Sequence, residues 1–279
     1  MDELVFQEVA DLALEGSGQV LQHSRAYLID TRLAPILRRE GFAGVDELIA
    51  CIKARPGSKL RSEMVAALTS KTSSFFDERD TLETLTGHFL PMLADTAGEE
   101  PLRIWCAGGA AGHEAYSLAI LLEESDVLRE RPIEIVTTDI SETASAAARL
   151  GRFGHFDVQK GLSIHRLLSN FRRMPDGDWQ VSKTLANRIG VRTHNLLEDA
   201  GGLGQFDVIL CRNVIRGMAP SARERVLINL ARQLNDGGVL VLGKTESATG
   251  VVHGLEPSRE VRGALTRKVS RKDVGTAAA

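Results

Sequence analysis

Three residue classes that often dominate a chain's physics are scarce or missing here. Only three of the 279 residues are cysteines (Cys51, Cys106 and Cys211). They are too few and too scattered for a disulfide framework or a zinc site, so no metal is expected. Cys106 and Cys211 fall at strand ends, where they read as small core residues with a pocket-lining role left open. No apolar run approaches the ~18 residues of a membrane span, and no leader peptide is visible. The chain therefore reads as cytoplasmic, without membrane insertion. The formal net charge is only -3, so no basic field argues for nucleic acid. Internal repeats are absent. What is present is apolar bulk: 43% hydrophobic residues, enough for a sizeable core and more than one domain.

The densest signal runs from Pro101 to Ser117. Leu102 to Cys106 is a short apolar run that reads as a buried strand. Gly108, Gly109 and Gly112 follow, and a helix opens near Glu114 with Ala115, Leu118, Ala119 and Leu122 on one face. Strand, glycine turn and helix open a nucleotide-binding βαβ unit. The glycines admit a ligand close to the backbone, and the helix start offers unpaired N–H groups. The G-G-x-x-G spacing is not the dinucleotide G-x-G-x-x-G, so alone it leaves a plain βα turn open. Two further strands add weight. Ile133 to Thr138 ends in Asp139, where a carboxylate can take both ribose hydroxyls, and Phe206 to Cys211 ends in Arg212-Asn213. All three place polar residues on the edge where open α/β sheets bind ligands.

Residues 1–70 read as a domain of four short helices, carried by Leu4 to Leu14, Ile29 to Leu37, Val45 to Ile52 and Leu60 to Leu68. Arg32, Arg38 and Arg39 of the second helix form either a solvated face or a patch for an acidic partner. Residues 71–100 are a linker and strap. There, Ser73-Ser74-Phe75-Phe76 is either a helix cap with an anchoring Phe pair or a strap over the ligand. Thr81 to Leu93 reads as another helix. Residues 101–269 form the sheet domain. Within it, Ser141 to Leu150 is an alanine-rich helix, and residues 152–192 form a small antiparallel insert around Gly177-Asp178. Ile189 to His194 returns as a strand. Ala222 to Leu234 is a helix ended by Asp236-Gly237-Gly238, and Val239 to Leu242 and Gly263 to Arg267 are the last strands. Residues 270–279 read as a disordered tail.

Seven motifs in order, S-x-F-F, W-x-A-G, G-x-E-x-Y-S, T-D-I, H-N-L-L, F-D-V-I-L-C-R-N-V and L-G-x-x-E-S, resemble the chemotaxis receptor methyltransferases of the CheR family. The resemblance covers nearly the whole chain. It implies a Rossmann-like α/β sheet that binds S-adenosylmethionine, with a small β insert and an all-α N-terminal domain. It further implies a protein-glutamate O-methyltransferase acting in chemotaxis signal transduction. Chemoreceptor cytoplasmic domains would be its partners, and the protein would be a monomer. Carried over by motif, Glu114 lies beside the methionine part of the cofactor, Asp139 holds the ribose, and Asn195 and Leu196 flank the adenine. Arg212 and Asn213 edge the pocket, Ala107 and Gly108 form the turn, and Lys71 and Ser73 come from the strap.

The chemistry asks little of side chains. A sulfonium methyl is electrophilic, a glutamate carboxylate is ionised at neutral pH, and catalysis reduces to positioning and desolvation. Two departures from the family pattern touch that positioning. Asp77 stands where the family has Arg after the Phe pair, and Gly217 stands where it has Tyr. Arg79 and Arg216 are the candidate replacement cations. Ala115 replaces a Pro, and His113 replaces Glu or Gln as a tolerated turn residue. The alternative to an active enzyme is a regulatory module of low or no activity that binds S-adenosylmethionine or another nucleotide.

Overall fold

The computed structural model describes residues 2–69, 73–96, 98, 100–248 and 250–268. The expected tail at 270–279 lies outside these residues. Four helices open the chain: α1 (Glu3–Ser17), α2 (Tyr27–Glu40), α3 (Val45–Ala54) and α4 (Lys59–Thr69). Their apolar faces close a core of their own around Phe6, Val9, Leu33, Leu48, Ile52 and Met64. Glycines in the left-handed region terminate α1 and α2, at Gly18 (φ 73°) and Gly41 (φ 77°), where a Cβ would be strained. The helical stretch expected at 81–93 spans α5 (Arg79–Thr84) and α6 (Leu90–Thr96), joined without interruption by a π turn, Leu85–Phe89.

The rest is a seven-stranded sheet with helices on both faces. Its strands are β1 (Leu102–Ala107), β2 (Ile133–Asp139), β6 (Ile189–Thr193), β7 (Phe206–Cys211), β8 (Leu234–Leu242), β9 (Leu255–Pro257) and β10 (Ala264–Arg267), while β3 (Arg152–Phe153), β4 (Phe171–Arg173) and β5 (Trp179–Val181) form a separate antiparallel insert. The order across the large sheet is β6-β2-β1-β7-β8-β10-β9. β6, β2, β1, β7 and β8 are parallel, and β10 and β9 are antiparallel. The chain first winds outward from β1 through β2 to β6, then returns to the other side of β1 at β7. That reversal puts the topological switch point at the carboxyl end of β1, where a doubly wound sheet opens its ligand crevice.

Strand alternation divides the core in two. Ile104 and Cys106 of β1 face α7 (His113–Glu124) on one side, while Trp105 and Ala107 face α12 (Pro220–Arg232) on the other. Trp105 is fully buried and donates Nε1–H to Thr138 Oγ1 at 3.0 Å, so its polar atom is satisfied inside the core. The helix expected from 141 is α8 (Glu142–Leu150), capped by the Ser141 hydroxyl. The insert also carries α9 (His155–Gln159), α10 (Ile164–Asn170) and α11 (Lys183–Asn187).

One expectation needs correcting. α12 starts at Pro220 and stops at Arg232, and the turn expected at Asp236-Gly237-Gly238 lies inside β8. Pairing of Leu234 with Phe206 starts β8 early, and a register shift between Phe206 and Val208 absorbs the glycines, with Gly237 at φ 81°. β9 is a short, largely exposed edge strand whose composition gave no strand signal. Cys106 and Cys211 are fully buried, one on each face of the sheet, and neither lines the cavity described below.

Candidate active site

The site begins where β1 ends. Gly108 has φ 76°, and a Cβ there would lie 2.7 Å from Val214 Cγ2, so glycine is required on both grounds. The N–H groups of Gly108 and Gly109 both donate to Thr138 O at 2.9 Å, which pins the turn to the end of β2. Asp139 completes the pin. Its Oδ2 accepts from Ala110 N at 3.0 Å and its Oδ1 from Ser141 N at 2.9 Å.

Above this edge is a cavity of about 670 Å³ including its open mouth, lined by Gly108, Ala110, Asp139, Ile140, His194, Asn195, Leu196, Val214 and Met218 among others. The N-terminal helices form its roof through Ser17, Gln19 and Thr69. Asn195 is tied to this roof: its Nδ2 donates to Gly16 O at 2.8 Å, and its Oδ1 accepts from Leu197 N at 3.1 Å. Ile140, next to Asp139, packs on the core of the helical unit.

Arg212, at the end of β7, is a buried cation with 3% side-chain exposure. Its Nη1 donates to Glu114 Oε2 at 2.5 Å, and its Nη2 donates to Asp77 O at 2.6 Å and lies 3.2 Å from Glu78 Oε2. Burial pushes the Glu114 carboxyl above the ordinary range, while the charge and hydrogen bond of Arg212 pull it back. Burial also drives the neighbouring Cys106 thiol well up, helped by the charge of Glu114, so it stays a neutral thiol.

The strap residues 73–78 are held over this cation. Ser73 Oγ and His113 Nδ1 are 2.8 Å apart, and Phe76 N–H donates to Ser117 Oγ at 2.9 Å. Phe75 packs edge-on against His113, Phe153 and Phe171. Phe76 (φ 54°) and Glu78 (φ 48°) both adopt the left-handed region without being glycine, a strain that persists only when the surroundings impose it. Here Arg212 imposes it from below, by holding Asp77 O and Glu78 together. The Phe pair thus anchors the segment on the sheet domain.

A second, outer cleft of about 1370 Å³, counted the same way, opens between the helical unit and the 212–217 turn. It is lined by Arg32, Leu68, Asn213, Arg216, Gly217 and Gln19 among others. The turn is organised by Glu246, which accepts from Asn213 N (2.8 Å), Arg216 N (2.9 Å) and Gly243 N (3.0 Å). Asn213 itself is left-handed (φ 58°) and donates Nδ2–H to Asp77 Oδ2 at 3.4 Å.

The candidate residues divide accordingly. Gly108, Asp139, Asn195 and Leu196 meet at the inner cavity, with Ala107 buried at the strand end beneath it. Glu114 and Arg212 form the buried pair, and Asn213 and Arg216 line the outer cleft. Ser73 is joined to His113. Arg79 lines neither space, its guanidinium paired instead with Glu83 at 2.6 Å. Lys71 lies outside the described residues. His113 is a buried packing partner of the strap rather than a turn residue. Of the α2 arginines, Arg32 donates to Leu68 O at the cleft wall, and Arg39 is paired with Glu40 and Glu63 on the surface. Sequence reasoning missed Gln19, Glu78 and the role of Glu246. The last stands in the L-G-x-x-E-S motif, which was the available signal; the other two carry none.

The residues fit S-adenosylmethionine. A carboxylate has roughly four acceptor positions, so Asp139 can serve both the glycine turn and a ribose diol. His194, which lines the cavity, keeps Nε2 buried with no partner among the described residues, an atom that a polar heterocycle would satisfy.

Comparison with known proteins bears on this geometry. The family model described as "CheR methyltransferase, SAM binding domain" matches residues 71–260. Chemotaxis protein methyltransferase 1 of Vibrio cholerae is 32% identical over 247 residues, covering 87% of this chain and 88% of the relative. A chemotaxis protein methyltransferase of Vibrio parahaemolyticus is 31% identical with the same coverage. Among solved structures, a TehB-like SAM-dependent methyltransferase of Corynebacterium glutamicum overlaps 68% of this chain and 92% of its own, at TM-score 0.36 and 16% identity, too distant to add to the sequence relatives.

Proposed function

The chain belongs to the CheR methyltransferase family, and from that premise we propose that it methylates glutamate side chains on the cytoplasmic domains of chemoreceptors, in the cytoplasm. The relatives named as chemotaxis methyltransferases support the pathway. The observation that carries the reading is the meeting, at one sheet edge, of the Asp139 cavity and an outer cleft that shares Gln19 and Thr69 with it, next to the buried Glu114–Arg212 pair.

S-adenosylmethionine, when bound, supplies an electrophilic methyl on sulfur, which passes to an acceptor oxygen as its bond to sulfur breaks. Asp139 would hold the ribose, and Asn195 and Leu196 would flank the adenine. Glu114, kept in place by Arg212, would offer its negative charge to the cationic methionine end. Ser73, through His113, and the Phe pair hold the strap down and keep water out. Arg216, on the cleft wall, supplies the positive charge for the incoming carboxylate, with Asn213 beside it. Arg79, committed to Glu83, is the weaker candidate. No general base is needed, because the acceptor is already ionised near neutral pH.

A second reading, a cofactor-binding module with slow transfer, is favoured by Asp77. Its carboxylate stands beside Asn213 at the mouth, where it opposes an incoming carboxylate. Incubation of receptor cytoplasmic fragments with methyl-labelled S-adenosylmethionine separates the two. Base-labile label on glutamates supports the first reading. Cofactor binding without label supports the second, and no binding overturns both.

A further inference from the structure

We propose that Gln19 holds the acceptor carboxylate at the junction of the inner cavity and the outer cleft; this rests on the glutamate reading above. Gln19 lines both spaces. Its main chain is fixed independently of its side chain. Gln19 and Met218 form an antiparallel bridge, Val20 N donates to Gly217 O at 2.9 Å, and Ala219 N donates to Gly18 O at 2.8 Å. The segment after α1 is therefore zipped to the turn that forms the cleft wall. Gln19 Nε2 donates to Val214 O at 3.2 Å. A carboxamide nitrogen carries two hydrogens, and Val214 takes one. The other is the donor available to an acceptor oxygen.

Gly217 explains how the amide reaches this place. A Cβ added at 217 would lie 2.5 Å from Gln19 Oε1. The space above Gly217 is thus occupied by the Gln19 carboxamide, delivered from the helical unit across 198 positions of sequence. Val20, Leu21, Val214 and Met218 supply the apolar part of the wall around it, and Asn213 and Arg216 stand on the same outer cleft. An amide fixed at this junction orients a polar ligand, because its second N–H points a donor at a defined place. The helical unit then contributes directly to transfer and does more than roof the cofactor.

The test uses the full chain, S-adenosylmethionine and a receptor cytoplasmic fragment. Gln19→Ala lowers kcat/KM for methyl transfer by about ten- to a hundredfold, the scale of a lost hydrogen bond to a charged group. Cofactor affinity falls by a smaller factor than transfer does, because Gln19 is one of many residues lining the inner cavity. Gly217→Ala crowds the amide and lowers transfer in the native background, yet adds nothing in the Gln19→Ala background, a coupling expected only if both act through the same carboxamide. A structural staple is distinguished by charge. Gln19→Glu weakens binding of the fragment carrying glutamate at the acceptor position, and spares the same fragment with that glutamate changed to glutamine. Equal weakening of both fragments, or native transfer by Gln19→Ala, overturns the assignment. If the native chain places no methyl on glutamate at all, the glutamate reading falls and this proposal with it.

Discussion

The two halves of the proposed active site are built by different means. The cofactor half hangs on strand ends: Gly108 after β1, Asp139 closing β2, and Asn195 and Leu196 just beyond β6. Their positions follow once the sheet forms, because a parallel sheet brings its carboxyl ends to one edge. The acceptor half is made of irregular chain from three distant places, the segment at 17–20, the strap at 73–78 and the turn at 212–218. Side chains bonded to main chain hold it: Gln19 to Val214, Arg212 to Asp77, and Glu246 to Asn213 and Arg216. The family departures, Asp77 and Gly217, both fall in this second half.

Arg212 ties the strap to Glu114 at the helix start, so removing it should break the comparison outright. Arg212→Ala leaves Glu114 and Glu78 without their buried counter-charge. The expected cost is about 3–5 kcal/mol of folding stability, read as a fall in the denaturant midpoint. A drop below about 1 kcal/mol would mean that solvent reaches the pair.

Asp139→Ala should separate the halves. Cofactor affinity falls by about 1–3 kcal/mol in equilibrium dialysis, the scale of lost hydrogen bonds to a buried group. Part of the loss comes from the glycine turn, whose Ala110 and Ser141 N–H groups lose their acceptor. Receptor-fragment affinity, measured separately, stays as in the native chain.

Asp77→Asn acts on the other half alone. Asp77 is exposed, so its repulsion of a carboxylate ~4 Å away is close to the water limit of about 1 kcal/mol. Turnover should rise by about fivefold. No change would place the acceptor away from Asp77.

The smallest effect is a pH dependence. Burial holds His113 below the ordinary imidazole pKa, with Asp157 opposing and Lys160 reinforcing the shift. Its other facing groups are Ser73, Phe75 and Phe153. The unfolded chain thus binds the proton more readily than the folded one. The stability from this group is complete above the ordinary value of 6.5 and is lost as pH falls through the folded value. His113→Gln should flatten that acid limb in thermal melts, and an unaltered limb would assign it to other groups.

Legibility in the sequence follows the same division. β1, β2 and β7 were plain as apolar runs ending in polar residues, and the glycine turn marked the helix start. Asp139 was readable because its role depends on one strand end. Arg212 was named, but its partner Glu78 was not, since a left-handed residue in a strap leaves no pattern in a local window. Gln19 was invisible for the same reason: its partner Val214 is distant in sequence and offers a main-chain carbonyl, which every residue has. The β8 start was misjudged because glycines that signal a turn were absorbed by a bulge that pairing with β7 stabilises.

The separability of the halves is tested most directly by calorimetric titration of S-adenosylmethionine into the native chain and into Asp77→Asn. The account predicts stoichiometric binding by both, with dissociation constants within about threefold of each other, because the substitution touches only the acceptor half. Absence of binding by the native chain, or a tenfold or larger change on Asp77→Asn, would contradict it.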